Sequence, residues 1–316
     1  MTLQATGILC IGDPHLEGRI PGFRKDDYPR VILDKIRWCI NFARENSLIP
    51  VFLGDIFHVP RDNPNWLIVE LLELFREPVF GIYGNHDVRE NQLSENDSLS
   101  ILVESGQYRL LTPANIAEVE ISGRKVFLGG SSWGSELPEH FEHFALGQGG
   151  SSLCFWFTHH DIRIDGQYDA GDIEPHEIGG VEAVINGHIH RKLEPVTTGQ
   201  TTWLTPGNIS RRKRDEASKE HVPAVLAIEI GSQEWSYRWI EIEHKPFEEV
   251  FHEAITKHES SLEESAFVAG LAQLESLKTD TGQGLHEFLD QNLGQFETEV
   301  ANEIKSLAAE VTESEH

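Results

Sequence analysis

Five short apolar runs in this chain each end in acidic, amide or imidazole side chains. "GILCIGDPH" ends with Asp13 and His15, "IPVFLGD" with Asp55, and "PVFGIYGNHD" with Asn85, His86 and Asp87; "CFWFTHHD" supplies His159 and His160, and "AVINGHIH" supplies His188 and His190. Runs of this length, rich in β-branched and aromatic residues, read as buried strands. In open α/β sheets ligands collect beyond the carboxyl ends of strands. Polar groups scattered from residue 13 to residue 190 can therefore meet, provided the fold sets these ends side by side. His188 and His190 lie on one side of an extended segment, and Gly187 before them is expected to let the backbone turn sharply.

Between the runs, amphipathic stretches alternate with strands, the pattern of an α/β protein. Residues 29 to 46 place Val31, Ile32, Ile36, Cys39, Ile40 and Ala43 at helical spacing, and "NPNWLIVELLELFRE" reads as a helix started at Asn63 and Pro64. The second half is richer in strands: a hairpin turning near Gly123, the runs ending at His160 and His190, "TTWLTPGN", and a pair turning around Gly231. From residue 246 the pattern becomes helical and acidic. A catalytic domain over residues 1–245 and a helical extension over 246–316 are the expected organisation, with a linker near "TDTGQG".

Charge bears on the partner. The chain carries a net −26, which disfavours polyanions, but residues 245 to 316 hold 16 acidic against 4 basic side chains. Against this background "RRKR", Arg211 to Arg214, stands out beside Arg191 and Lys192. It reads as a solvated loop or as a phosphate-binding rim. The three cysteines, Cys10, Cys39 and Cys154, sit singly in apolar segments, as buried thiols of a cytoplasmic protein do. No leader and no membrane-length apolar run is read in the sequence. Trp133, Trp156, Trp203, Trp235 and Trp239 are expected in core or sheet-face packing.

The ordered set D-x-H, GD, GNHD, H and GHxH resembles the calcineurin-like metallophosphoesterase superfamily. "GDIFHVP" and "TPGNISRR" are similar to motifs of the SbcD-type DNA-repair nucleases. The resemblance implies a four-layer α-β-β-α sandwich with two divalent metal ions, manganese first and iron or zinc as alternatives. It implies Asp55 as their bridge, with Asp13, His15 and His190 on one ion and Asn85, His159 and His188 on the other. The absence of cysteine from this set suits a catalytic rather than a thiolate structural site.

His86 then takes the part of general acid toward the leaving alkoxide, with Asp87 orienting it. His58, Asn208, Arg211 and Arg212 are the expected substrate contacts, and His160 stays open as an alternative ligand to His159. The expected activity is phosphodiester hydrolysis on DNA. A phosphoesterase for nucleotides or other small phosphate compounds is the alternative, and a catalytically silent scaffold is the alternative of another class. DNA, a coiled-coil ATPase of the SbcC type and a second copy of the chain are the partners to be tested. The compact DNA-capping domain usual in such nucleases is not recognisable after the second-half strands.

Overall fold

Alternation along single strands decides the layering. The computed structural model describes residues 5–142 and 152–252. In β1 (Gly7–Ile11), Ile8 and Cys10 enter one core while Leu9 and Ile11 enter another, all four fully buried. A strand buried on both faces belongs inside a layered sandwich.

On one side of β1 the chain makes α1 (Tyr28–Glu45), capped by the Asp27 carboxylate on the Arg30 amide. The buried stripe of α1 includes Ile32, Leu33, Ile36, Cys39, Ile40 and Ala43, the spacing legible in the sequence. Then follow β2 (Leu48–Phe52), α2 (Asn65–Leu74), β3 (Val79–Gly81), α3 (Ser98–Glu104) and β4 (Tyr108–Leu110). The second sheet begins with β5 (Ala117–Ile121) and β6 (Arg124–Ser131), the hairpin around Gly123. It continues through β7 (Leu153–Thr158), β8 (Ala183–Asn186), β9 (Val196–Thr198) and β10 (Thr201–Leu204). After α4 (Glu216–Glu220), β11 (Ala224–Ile230) and β12 (Trp235–Glu241) return to the first sheet, and α5 (Phe247–Val250) follows.

The sheets run β12-β11-β1-β2-β3-β4 and β5-β6-β7-β8-β10-β9. Strands β1 to β4 pair in parallel, as do β6 to β8. Ile8, Cys10, Leu53, Phe155, Phe157, Ile185, Leu226 and Ile228 fill the space between the sheets; each large apolar side chain so buried contributes roughly 1.5–3 kcal/mol. The helices α1 to α3 cover the outer face of the first sheet through Leu9, Phe52, Phe75 and Tyr108. Over the second sheet, among the described residues, irregular segments carry the covering side chains, with Ile162, Ile178 and Val181 on Trp156 and Trp203.

Trp156 and Trp203 are core residues, and Trp235 and Trp239 lean on the inter-sheet core. The three thiols are buried and unpaired. No helix among the described residues is long and apolar enough to cross a membrane. The first compact unit runs to His252. The linker near residue 280, and the expected helical extension beyond His252, lie outside the described residues.

Candidate metal centre

The parallel strands deliver their carboxyl ends to one place, and strained backbone aims the side chains there. Asp13, His15, Asp55 and His188 have φ of 41°, 47°, 49° and 66°, a region costing about 1–3 kcal/mol for each non-glycine residue and persisting where the surroundings enforce it. Gly187, expected to provide the turn, is not among the positive-φ residues, and His188 turns in its place. The glycine is required by close approach: a Cβ there would lie 2.4 Å from the Leu53 carbonyl oxygen and 2.9 Å from His159 Nδ1.

Asp13, His15, Asp55 and His190 offer ligand atoms all within 4.8 Å of one another. His15 Nε2 and His190 Nε2 are 2.8 Å apart, and His15 Nε2 lies 3.5 Å from Asp55 Oδ2. His159 Nε2 lies 3.4 Å from the same oxygen. Asn85 Oδ1 lies 3.3 Å from His159 Nε2 and 3.1 Å from His188 Nδ1. Asp55 thus stands between two groups of donors. Its Oδ1 accepts from the His86 amide at 2.8 Å, while its Oδ2, like Asp13 Oδ2, is buried without a hydrogen-bond partner.

Two orphaned carboxylate oxygens amid imidazole nitrogens and an amide oxygen form a donor set that fits a pair of divalent ions. Two of the imidazoles are already in the metal-binding form, whereas burial is overcome at His159 by the Asp55 and Asp13 carboxylates, which raise it to about 9, and burial raises Asp13 to about 8. Burial, reinforced by nearby His159, pushes His188 down to about 3, and burial outweighs the Asp55 carboxylate in holding His15 well below the usual range; both imidazoles stay neutral, the form that binds metal. Burial opposes ionisation of Asp55, yet the surrounding histidines, His159 foremost, hold it below the ordinary carboxylate range.

His159 and His160 are told apart by their partners. His159 Nδ1 donates to the Leu53 carbonyl at 2.6 Å, leaving Nε2 for the centre. His160 has both ring nitrogens engaged elsewhere, one with Thr158 Oγ1 and the other with the Ser135 carbonyl at 2.6 Å. His86 Nδ1 donates to the His58 carbonyl at 2.7 Å, its ring stacked on His58 and edge-on to His15.

Asp87 does not orient His86, as the sequence suggested. Its two oxygens accept from the Phe57 and Gly84 amides, each at 3.0 Å, and it locks the loop instead. Asn208 and Arg211 also differ from expectation, because the turn that carries them folds inward. Buried Asn208, in the amide orientation that satisfies both its ends, donates to the Ser210 and His190 carbonyls and supports the His190 loop. The buried Arg211 guanidinium is turned to the Lys245 carbonyl. Arg212 is partly exposed and pairs with Glu17 at 2.6 Å. Trp133 and Asp161 were not placed in the site from sequence. The Trp133 ring lies 5.1 Å from that of His188, and Asp161 Oδ1 lies 3.9 Å from His188 Nε2. The acidic residue closing "THHD" was the available signal for Asp161.

The close approach at Gly187 makes a test. Gly187→Ala should displace Leu53 or His159, destabilise the fold by about 1–3 kcal/mol, and weaken metal binding by about tenfold or more. Thermal unfolding with metal titration measures both, and unchanged values would show that the loop yields freely.

Residues 6–192 match the model of the calcineurin-like phosphoesterase family. The chain is 25% identical over 228 residues to the 3',5'-cyclic adenosine monophosphate phosphodiesterase CpdA of Haemophilus influenzae, a match covering 66% of this chain and 78% of that protein. Similar solved structures include a hypothetical protein from Thermus thermophilus (12% identity, TM-score 0.39, 74% of this chain and 98% of that one). Another is a predicted phosphoesterase from Streptococcus pneumoniae (13% identity, TM-score 0.35, 75% and 89%). With ligand-bearing strand ends converging on orphaned carboxylates, and with the family match spanning every one of them, the chain belongs to the calcineurin-like phosphoesterases, a family of metal-dependent hydrolases.

Proposed function

We propose that the chain is a phosphodiesterase acting on DNA, in the manner of the SbcD-type nucleases that its motifs resemble. The observation that carries this reading is the pair His86 and His58 ranged beside the ligand His15. His58 closes the "GDIFH" segment that suggests the nuclease subfamily, and its carbonyl fixes the His86 ring. Two divalent ions, manganese being the pair proposed, would polarise the phosphoryl group and supply a nucleophile at neutral pH. Asp13, His15, Asp55 and His190 would hold one, and Asp55, Asn85, His159 and His188 the other. His86, with Nδ1–H committed to the His58 carbonyl, presents Nε2 to the leaving oxygen and donates its proton there. The His58 ring positions the scissile phosphate or the nucleotide beyond it.

Cyclic or other small nucleotides are the second reading. It is favoured by the cyclic-nucleotide relative and by the partners of Arg211 and Arg212, which leave the expected phosphate rim thinner. Lys213 becomes the rim residue proposed for DNA: it is exposed, and its charge is felt at His190. The manganese-loaded protein should be assayed on single- and double-stranded DNA, cyclic AMP and a bis-aryl phosphodiester. Lys213→Ala should raise KM for DNA and make its salt dependence shallower by about 0.9 in logarithmic slope for each phosphate no longer neutralised. The aryl diester should stay within about a factor of two, the size of a surface change. Turnover of cyclic AMP with no cleavage of either DNA would replace the nuclease reading by the second. An SbcC-type ATPase partner belongs to the nuclease proposal and would be tested by ATP-dependent stimulation of cleavage.

A further inference from the structure

We propose that the cavity between α1, the turn at Arg211 and the segment joining β12 to α5 is a second anion site, taking a small molecule that bears a phosphate. The cavity measures about 350 Å³; Arg24, Lys35, Trp38, Arg211 and Lys245 are among its walls, and the acidic residues Asp26, Asp34 and Glu243 also line it. That volume lies at the small end of the range for ligand pockets, room for one compact molecule.

Three cations meet there in depth. Arg24, Lys35 and Arg211 are 7%, 9% and 6% exposed. Arg24 has a carboxylate, bonding Asp26 at 2.8 and 2.6 Å, and also donates to the Arg211 carbonyl at 2.6 Å. The other two have only peptide carbonyls: Lys35 Nζ donates to Ile209 O at 2.6 Å, and Arg211 donates to Lys245 O. Among the described residues, neither Lys35 nor Arg211 has a carboxylate at ion-pair distance. Asp26 acts on both, and Glu248 on Arg211, only from beyond that distance; a carbonyl satisfies a hydrogen bond without neutralising a charge, and a buried charge without a close counter-charge is costly.

Lys35 makes the cost plain, because it interrupts the otherwise apolar buried stripe of α1. Burial first, then Arg211 and Arg24, push its ammonium down to about 7. A guanidinium fork beside an ammonium matches the several acceptor oxygens of a phosphate better than the two of a carboxylate. Trp38, stacked on Phe42, adds a flat wall suited to a sugar or base. The cavity lies behind the metal centre: Ile209, whose carbonyl holds Lys35, donates its amide to the Gly12 carbonyl, and Ser210 Oγ donates to that of Asp13.

The test is calorimetric titration of the metal-loaded full chain with inorganic phosphate and with AMP. Two independent sites are expected. Asp55→Asn should remove the one at the metal centre. Lys35→Met, which replaces a buried charge by an apolar chain of similar length, should weaken the other by about tenfold or more while leaving the catalytic rate without added anion unchanged. Arg211→Gln serves as a second variant should Lys35→Met fail to fold. Tighter binding of AMP than of phosphate would assign an esterified phosphate lying against Trp38, and the reverse order a free phosphate ion. The proposal is overturned if both cavity variants keep the wild-type number of sites and affinities, or if every phosphate bound depends on Asp55.

Discussion

Asp55→Asn is expected to abolish hydrolysis while leaving the fold in place. One oxygen of Asp55 is held by the His86 amide, and the other stands 3.5 and 3.4 Å from the ring nitrogens of His15 and His159 with no hydrogen bond of its own. An asparagine fills the same space, so packing survives. It contributes no negative charge and only one oxygen, so it cannot both accept from His86 and serve two cations. Losing several kcal/mol of transition-state charge stabilisation lowers kcat/KM by about 10³-fold or more. Removing metal from the wild type with a chelator should give the same loss, reversed by manganese, and should lower the unfolding temperature because the ions bind only the folded state. Full activity with two ions bound to the Asp55→Asn chain would refute the bridge.

The second large effect is expected at His86 and should appear in turnover rather than in metal content. His86→Ala removes a ring whose Nδ1 is committed to the His58 carbonyl, and so removes the proton offered at Nε2. For a diester with a poor leaving group the rate should fall by about 10²- to 10⁴-fold, the range of general acid catalysis. For an activated aryl diester, whose leaving group departs without a proton, the fall should be far smaller. Two ions per chain should remain. Because ring nitrogens of His15, His58 and His86 also lie within 4.8 Å of one another, loss of an ion from the variant would show His86 to be a ligand instead.

The residues that converge were legible because each follows directly on an apolar run, and a strand carries whatever follows it to a predictable end of the sheet. What was not legible depends on partners remote in sequence. His159 and His160 are adjacent, yet Leu53 and Ser135 decide which one faces the centre. Arg211 looked like a rim residue because it sits in a basic run, but Lys245 draws its side chain inward. Asp87 looked like the orienter of its neighbour, whereas a carbonyl 28 residues away does that work. Gly187 was rightly singled out for the wrong reason, since sequence cannot distinguish a glycine that turns from one that makes room. Of the elements, α3 with seven residues and β4 and β9 with three each are too short to show a period, and pairing with neighbours is what forms them.

Each set of donors draws on both sheets. Asp13, His15, Asp55 and Asn85 follow strands of the first, and His159, His188 and His190 follow strands of the second. A bound ion is therefore a rivet through two plates, and neither half of the chain can make the centre by itself. Strands β1 and β8, joined through it, lie more than 170 residues apart in the chain, a closure that comes late in folding. Hydrolytic activity should consequently be the last property to appear on refolding and the first to vanish when the sheets begin to part, well before the strands themselves are lost.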